Sequence, residues 1–161
     1  MRKIQVVMLS SAILLAGCAT KAPNWVINPQ SQSGIAATGC GPVNNNMSLA
    51  KSMAMALARK ALAQQINTRV KAVDKLYEQS SGQVGVQTFT SASELITDEV
   101  LQNTQASRVE VIEIDGVDKL CVQVELQKNE VKSTFRSIVK GTQLNLSEQD
   151  EQTLYSAFSE F

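Results

Sequence analysis

The chain has 161 residues, with 15 Lys and Arg against 15 Asp and Glu, and no His. Balanced charge argues against nucleic-acid binding, which needs a basic face to neutralise phosphates. The absence of His removes the commonest general base, the commonest zinc ligand and the Ser–His and Cys–His nucleophile pairs. An enzyme is therefore disfavoured, and no cofactor or metal is expected.

The chain opens on a targeting segment. Arg2-Lys3 precede an apolar run from Val6 to Leu15, broken only by Ser10 and Ser11, which ends in Leu15-Ala16-Gly17-Cys18. A basic start, an apolar run and a small-residue site make a secretory signal peptide. The run is too short for a bilayer, which takes ~20 residues. Leu-Ala-Gly-Cys resembles the bacterial lipoprotein lipobox. In such proteins the Cys thiol receives a diacylglycerol, cleavage frees its amine, and a third chain is usually added. Residues 1–17 thus read as a lipoprotein signal peptide, with Cys18 as the lipidated first residue of the mature chain. Ala19, rather than Asp, follows Cys18. By resemblance to Gram-negative sorting rules, this implies the outer membrane, with the protein facing the periplasm. No later stretch is apolar for ~20 residues, so anchoring falls to acyl chains at ~0.8 kcal/mol per buried methylene.

Residues 18–33 read as a polar tether interrupted by Trp25-Val26. Trp25 is expected to dock on the domain, the alternative being a free partner anchor. Residues 34–40 read as a short strand closed by Gly41-Pro42, and Asn44-Asn45-Asn46 as a turn that caps a helix. Ser48 to Glu78 has no Gly or Pro and repeats apolar residues at spacings of three and four, which predicts one amphipathic helix. At ~45 Å it exceeds what a small domain needs, so one end is expected to project or pack on a neighbouring subunit. Its Ala-rich half, Ala54 to Ala63, allows close approach to a sheet or helix.

Residues 80–90 read as a loop, and Ser91-x-x-Glu94 as a capping box opening a shorter helix. The clearest strand signal lies in 107–126, where two runs flank Asp115-Gly116, a hairpin-turn dipeptide. In the second run Leu120, Val122, Val124 and Leu126 alternate strictly with Cys121, Gln123 and Glu125. In the first, Ile112 and Ile114 straddle the face of Val109 and Val111, which predicts a bulge or burial on both sides. A helix is expected from about Asn129 to Lys140 with Gly141 as C-cap. A last helix follows Ser147, with Glu148, Asp150 and Glu151 suiting its dipole.

These elements make an α+β fold: a small, mostly antiparallel sheet of one N-terminal strand plus a hairpin, packed by a long Ala-rich helix and shorter ones. The expected organisation is a single domain over 34–141 and a C-terminal helix or tail over 142–161. With Cys18 assigned to lipid, Cys40 and Cys121 remain. Strand alternation points both to the polar side of the sheet, and an oxidising periplasm favours a disulfide. Two separate free thiols are the alternative. A metal site on them lacks further ligands. Glu110, Glu113, Asp115 and Asp118 read as a solvated hairpin rim. Leu154, Tyr155, Phe158 and Phe161 form an aromatic-rich stripe that either folds back on its own domain or docks into the next subunit.

The order of motifs resembles the LPP-twenty-type outer-membrane lipoproteins, a family with a flagellar branch. The matching features are the lipobox, Pro23-x-Trp25-Val26 and a strand closing in Gly39-x-Gly41. Ala54-x-x-x-Ala58-Arg59-x-x-Leu62-Ala63 running into Ile66 and Val70 follows, and then the Asp-Gly hairpin leading to Cys121-Val122-Gln123-Val124. The resemblance spans residues 18 to about 140. It implies a non-enzymatic protein that forms homo-oligomers. In the flagellar branch it implies a ring or disk beneath the outer membrane, with other flagellar ring proteins as partners in motility. The runner-up is a monomeric module that tethers another envelope component.

Overall fold

The computed structural model describes residues 22–31, 34–82 and 88–159. Cys18 and Phe161 lie outside them. The elements in chain order are α1 (Asn24–Ile27), β1 (Ile35–Pro42), α2 (Met47–Ser81) and α3 (Thr88–Asn103), then β2 (Ala106–Ile114), β3 (Val117–Leu126), α4 (Lys128–Thr142) and α5 (Glu148–Ser159). The class is α+β, as the pattern predicts. The three strands run in the order β1-β3-β2, with both neighbouring pairs antiparallel.

The hairpin forms where its turn chemistry dictates. Asp115 and Gly116 both take positive φ, 53° and 74°, the pattern of a type I′ turn that suits strand twist. A bulge does occur in β2, but between Ala106 and Arg108 rather than near the isoleucines. Ile112 and Ile114 are half-buried on the side of the sheet away from α2, opposite Lys119 and Val117. Of the two explanations offered for the broken alternation, partial burial on the second side is the one that applies to them.

The long helix begins where the Asn run ends, Asn46 accepting from the Leu49 N–H at 3.0 Å. It finishes at Gly82, which is left-handed at φ 72°. Its 35 residues make it ~52 Å long. Both of its halves pack within the same copy, while Met47, Leu49, Met53 and Leu57 stay exposed along its first half. Its first half lies on β1 and β3, and its second half is covered by α3 and α5. The first half buries Ala50, Ala54 and Ala58 against the strand glycines. A Cβ on Gly39 would stand 2.3 Å from the Ala58 nitrogen and 2.4 Å from the Ala54 oxygen. The Ala ladder therefore lets helix backbone rest on strand backbone. Beyond it the stripe widens to Leu62, Ile66, Val70 and Val73, which fill the space between α2, α3 and α5 with Phe89 and Phe158.

Two helix boundaries depart from the sequence pattern. α3 starts at Thr88, ahead of the Ser91–Glu94 capping box. Its cap is supplied by α2: the Asp74 carboxylate accepts from the N–H groups of Phe89 and Thr90, both at 2.9 Å, and from the Thr90 hydroxyl at 2.6 Å. α4 runs through Gly141 and turns left-handed at Gln143, φ 57°. Gly141 instead sits against α3, where an added Cβ would be 3.3 Å from the Ala92 methyl.

α5 is capped by Ser147, whose hydroxyl accepts from the Asp150 N–H at 3.2 Å. It then packs on both α2 and α4, so the core continues through Phe158.

Candidate anchoring and assembly surfaces

The region just before β1 is a strap across the outer side of the sheet, opposite α2. Pro23 starts the single turn of α1, its carbonyl accepting from Val26 at 2.9 Å. That turn presents Trp25 to the sheet. The Trp25 carbonyl accepts from the Thr38 hydroxyl at 3.0 Å. The Arg108 guanidinium lies 4.6 Å from the indole centroid, a cation–π stack that Glu110 anchors from below at 2.6 Å. Further along, the Gln123 amide donates to the Gln30 carbonyl at 3.3 Å. Trp25 thus docks on its own domain. Its buried Nε1–H has no hydrogen-bond partner among the described residues, and the ring is held by packing and by Arg108. The sequence marks Trp25, but nothing in it marks Arg108 or Gln123 as the receiving residues.

The strap makes the tether short. Of residues 18–33, only the stretch before Pro23 is left to connect Cys18 to the fold, and ~5 residues reach at most ~17 Å when fully extended.

Beside the strap, Cys40 and Cys121 face each other directly in the β1–β3 register. Their Cα atoms are 4.0 Å apart and their sulfurs are bonded. They occupy the outer side, as alternation places them, yet that side is not an open polar surface. Cys121 is fully buried, and Gln123 nearly so. The bond ties residues 81 apart, joining the strand next to the strap to the central strand.

The terminal stripe folds back. Leu154 and Phe158 are buried in the core, and Phe135 stacks on both Tyr155 and Phe158 at 5.4 Å. The buried Arg69 donates to the Phe158 carbonyl at 2.9 Å, and its desolvation lowers its pKa. Leu154 and Phe158 are therefore occupied within their own copy and do not present a docking stripe to another. Tyr155 is half-buried. Nothing in their residue type marks Arg69 or Asp74 as structural. The available signal was their place on the apolar stripe, beside Val70 and Val73.

The rim carboxylates do not converge. Glu110 pairs with Arg108, while Glu113, Asp115 and Asp118 are exposed along the hairpin. Among the described residues no group of three or more His, Cys, Asp or Glu could hold a metal ion. A groove of about 580 Å³ lies between α3, α4 and the start of the hairpin. Its carboxylates have structural partners. Glu125 accepts from Ser107 and Gln123, both at 3.2 Å, and Glu130 accepts from the Gln127 N–H at 2.6 Å in the α4 capping box. No helix of the described residues is long and apolar enough to cross a membrane.

No family model, curated protein or solved structure matches the chain.

Proposed function

We propose that the chain is a non-enzymatic lipoprotein, anchored by acyl chains on Cys18 to the periplasmic face of the outer membrane, where copies assemble as a structural component. The observation that supports this reading is the pairing of two features: a lipobox-like Leu15-Ala16-Gly17-Cys18 and, a few residues on, a strap clamped to the sheet by Trp25 and Arg108. A strap of this kind limits how far the fold can stand from an anchored Cys18. A set height above the bilayer suits a planar assembly. The resemblance to LPP-twenty-type lipoproteins implies that the assembly is a flagellar basal-body-associated ring needed for motility.

The competing reading is a monomeric lipoprotein that tethers another envelope component. The burial of Leu154 and Phe158 favours it, because it removes the terminal stripe as an assembly contact. Sedimentation separates the two. A chain secreted in soluble form, with residues 1–18 replaced by an ordinary cleavable signal peptide, should sediment as oligomers. A clean monomer at high concentration supports the tethering reading. Deleting the gene should abolish motility if the assembly is flagellar, and unaltered swimming removes that assignment.

A further inference from the structure

The two edges of the sheet are finished differently. Cys40 and Cys121 form a non-hydrogen-bonded pair, as their 4.0 Å Cα separation requires. The peptide groups of Ala36, Thr38, Cys40 and Pro42 therefore face away from β3, along the β1 edge. That edge is blunted at its two ends, while the peptide groups of Thr38 and Cys40 between them have no partner among the described residues. The Gln65 amide donates to the Ala36 carbonyl at 2.8 Å, and Pro42 has no N–H to offer. Side-chain caps and edge prolines are how sheets avoid further pairing.

At β2 the same parity gives the opposite result. The Cys121 peptide turns toward β2 and pairs with Glu110. The N–H and C=O groups of Val109, Val111 and Glu113 then point outward, and nothing among the described residues bonds to them. No Pro or Gly interrupts Ala106–Ile114. Val109 and Val111 stand opposite Val122 and Leu120, on the helix side of the sheet. α2 packs across β1 and β3 and stops short of them, leaving these valines 43% and 47% exposed. Past the bulge at Ala106/Arg108, the regular edge from Arg108 to Ile114, with its exposed valines, is a template for another strand.

We propose that β2 is a self-association edge, to which a second copy adds its own β2 antiparallel about a two-fold axis, forming one six-stranded sheet. Charge selects the register. Arg108 and Glu110 lie two residues apart on the outer side, already ion-paired with each other. Pairing centred on Val109 sets each Arg108 opposite Glu110 of the second copy, closing a four-charge ring. Centring on Glu110 would set two carboxylates face to face, which is unfavourable, and centring on Val111 would set Arg108 against Ile114. In the selected register the valines of both copies share one side of the joined sheet. This contact deepens the self-assembly proposed above and rests on it. A two-fold contact closes on itself, so a ring requires a further surface as well.

The test is sedimentation of the full chain extracted in mild detergent, comparing the wild type with Val109→Lys/Val111→Lys, Arg108→Glu, and the exchange Arg108→Glu/Glu110→Arg. The wild type should sediment as a dimer or a multiple of one. The double-lysine variant should be monomeric with unchanged circular dichroism. Arg108→Glu should weaken pairing ~10-fold, and the exchange should restore it. Assembly that persists in the double-lysine variant overturns the β2 contact but leaves self-assembly standing, whereas a monomeric wild type overturns both. If the lysines unfold the domain, Val109→Cys decides instead. Mild oxidation should link two copies through residue 109, and a chain that stays single contradicts the register.

Discussion

The two sides of the sheet are closed by different means. On the α2 side, strand glycines and helix alanines bring backbone against backbone, with no side chain between Gly39 and the peptides of Ala54 and Ala58. On the outer side the cover is a strap, one stacked arginine and a disulfide. The first is a continuous interface in which any added atom must displace a whole helix. The second is a set of separate fastenings, each of which can be undone while the rest of the fold stands. The difference sorts mutations into those that unfold the domain and those that free the segment leading to Cys18.

The largest effect should come from Gly39→Val. Its branched side chain has no space against the α2 backbone. The expected loss is at least ~3 kcal/mol, a large share of a small domain's stability, seen as a collapse of the cooperative melt. A variant that melts like the wild type would mean that α2 can lift off the sheet cheaply. Phe158→Ala should cost ~3–5 kcal/mol in urea denaturation, because the ring is fully buried against Phe135. A cost below ~1 kcal/mol would mean that α5 is not part of the core.

On the outer side, replacing both Cys40 and Cys121 by Ser should lower stability by ~2–4 kcal/mol, by releasing a long loop in the unfolded chain, while the native circular dichroism is retained. Asp74→Ala should cost ~1–3 kcal/mol by leaving the first N–H groups of α3 without their cap. Faster amide exchange confined to the start of α3 would locate the effect. Trp25→Ala should be the mildest, ~1–2 kcal/mol, but it should expose residues 22–31 to limited proteolysis while the domain resists. Equal resistance in the variant and the wild type would show that Trp25 does not hold the strap.

Most of the architecture was legible in the chain. Asp115-Gly116 located the hairpin, strict alternation in Leu120–Leu126 gave its buried side, and the same alternation put Cys40 and Cys121 on one side of the sheet. What escaped reading depended on distant partners. The start of α3 was misplaced because its cap, Asp74, lies on another helix. The second side of the sheet looked solvated because its cover comes from residues before the domain. Gly141 looked like a helix stop because composition cannot separate a turn from close helix packing. The terminal stripe shows the limit most clearly: periodicity identifies an apolar face, but Leu154 and Phe158 carry no sign of whose core they fill.

Intact-mass analysis of the protein extracted from membranes decides whether Cys18 carries the anchor. The expected mass is that of a chain beginning at Cys18 with a thioether-linked diacylglycerol plus an amide-linked acyl group. A chain that retains residues 1–17, or one with an unmodified Cys18 thiol, would contradict it.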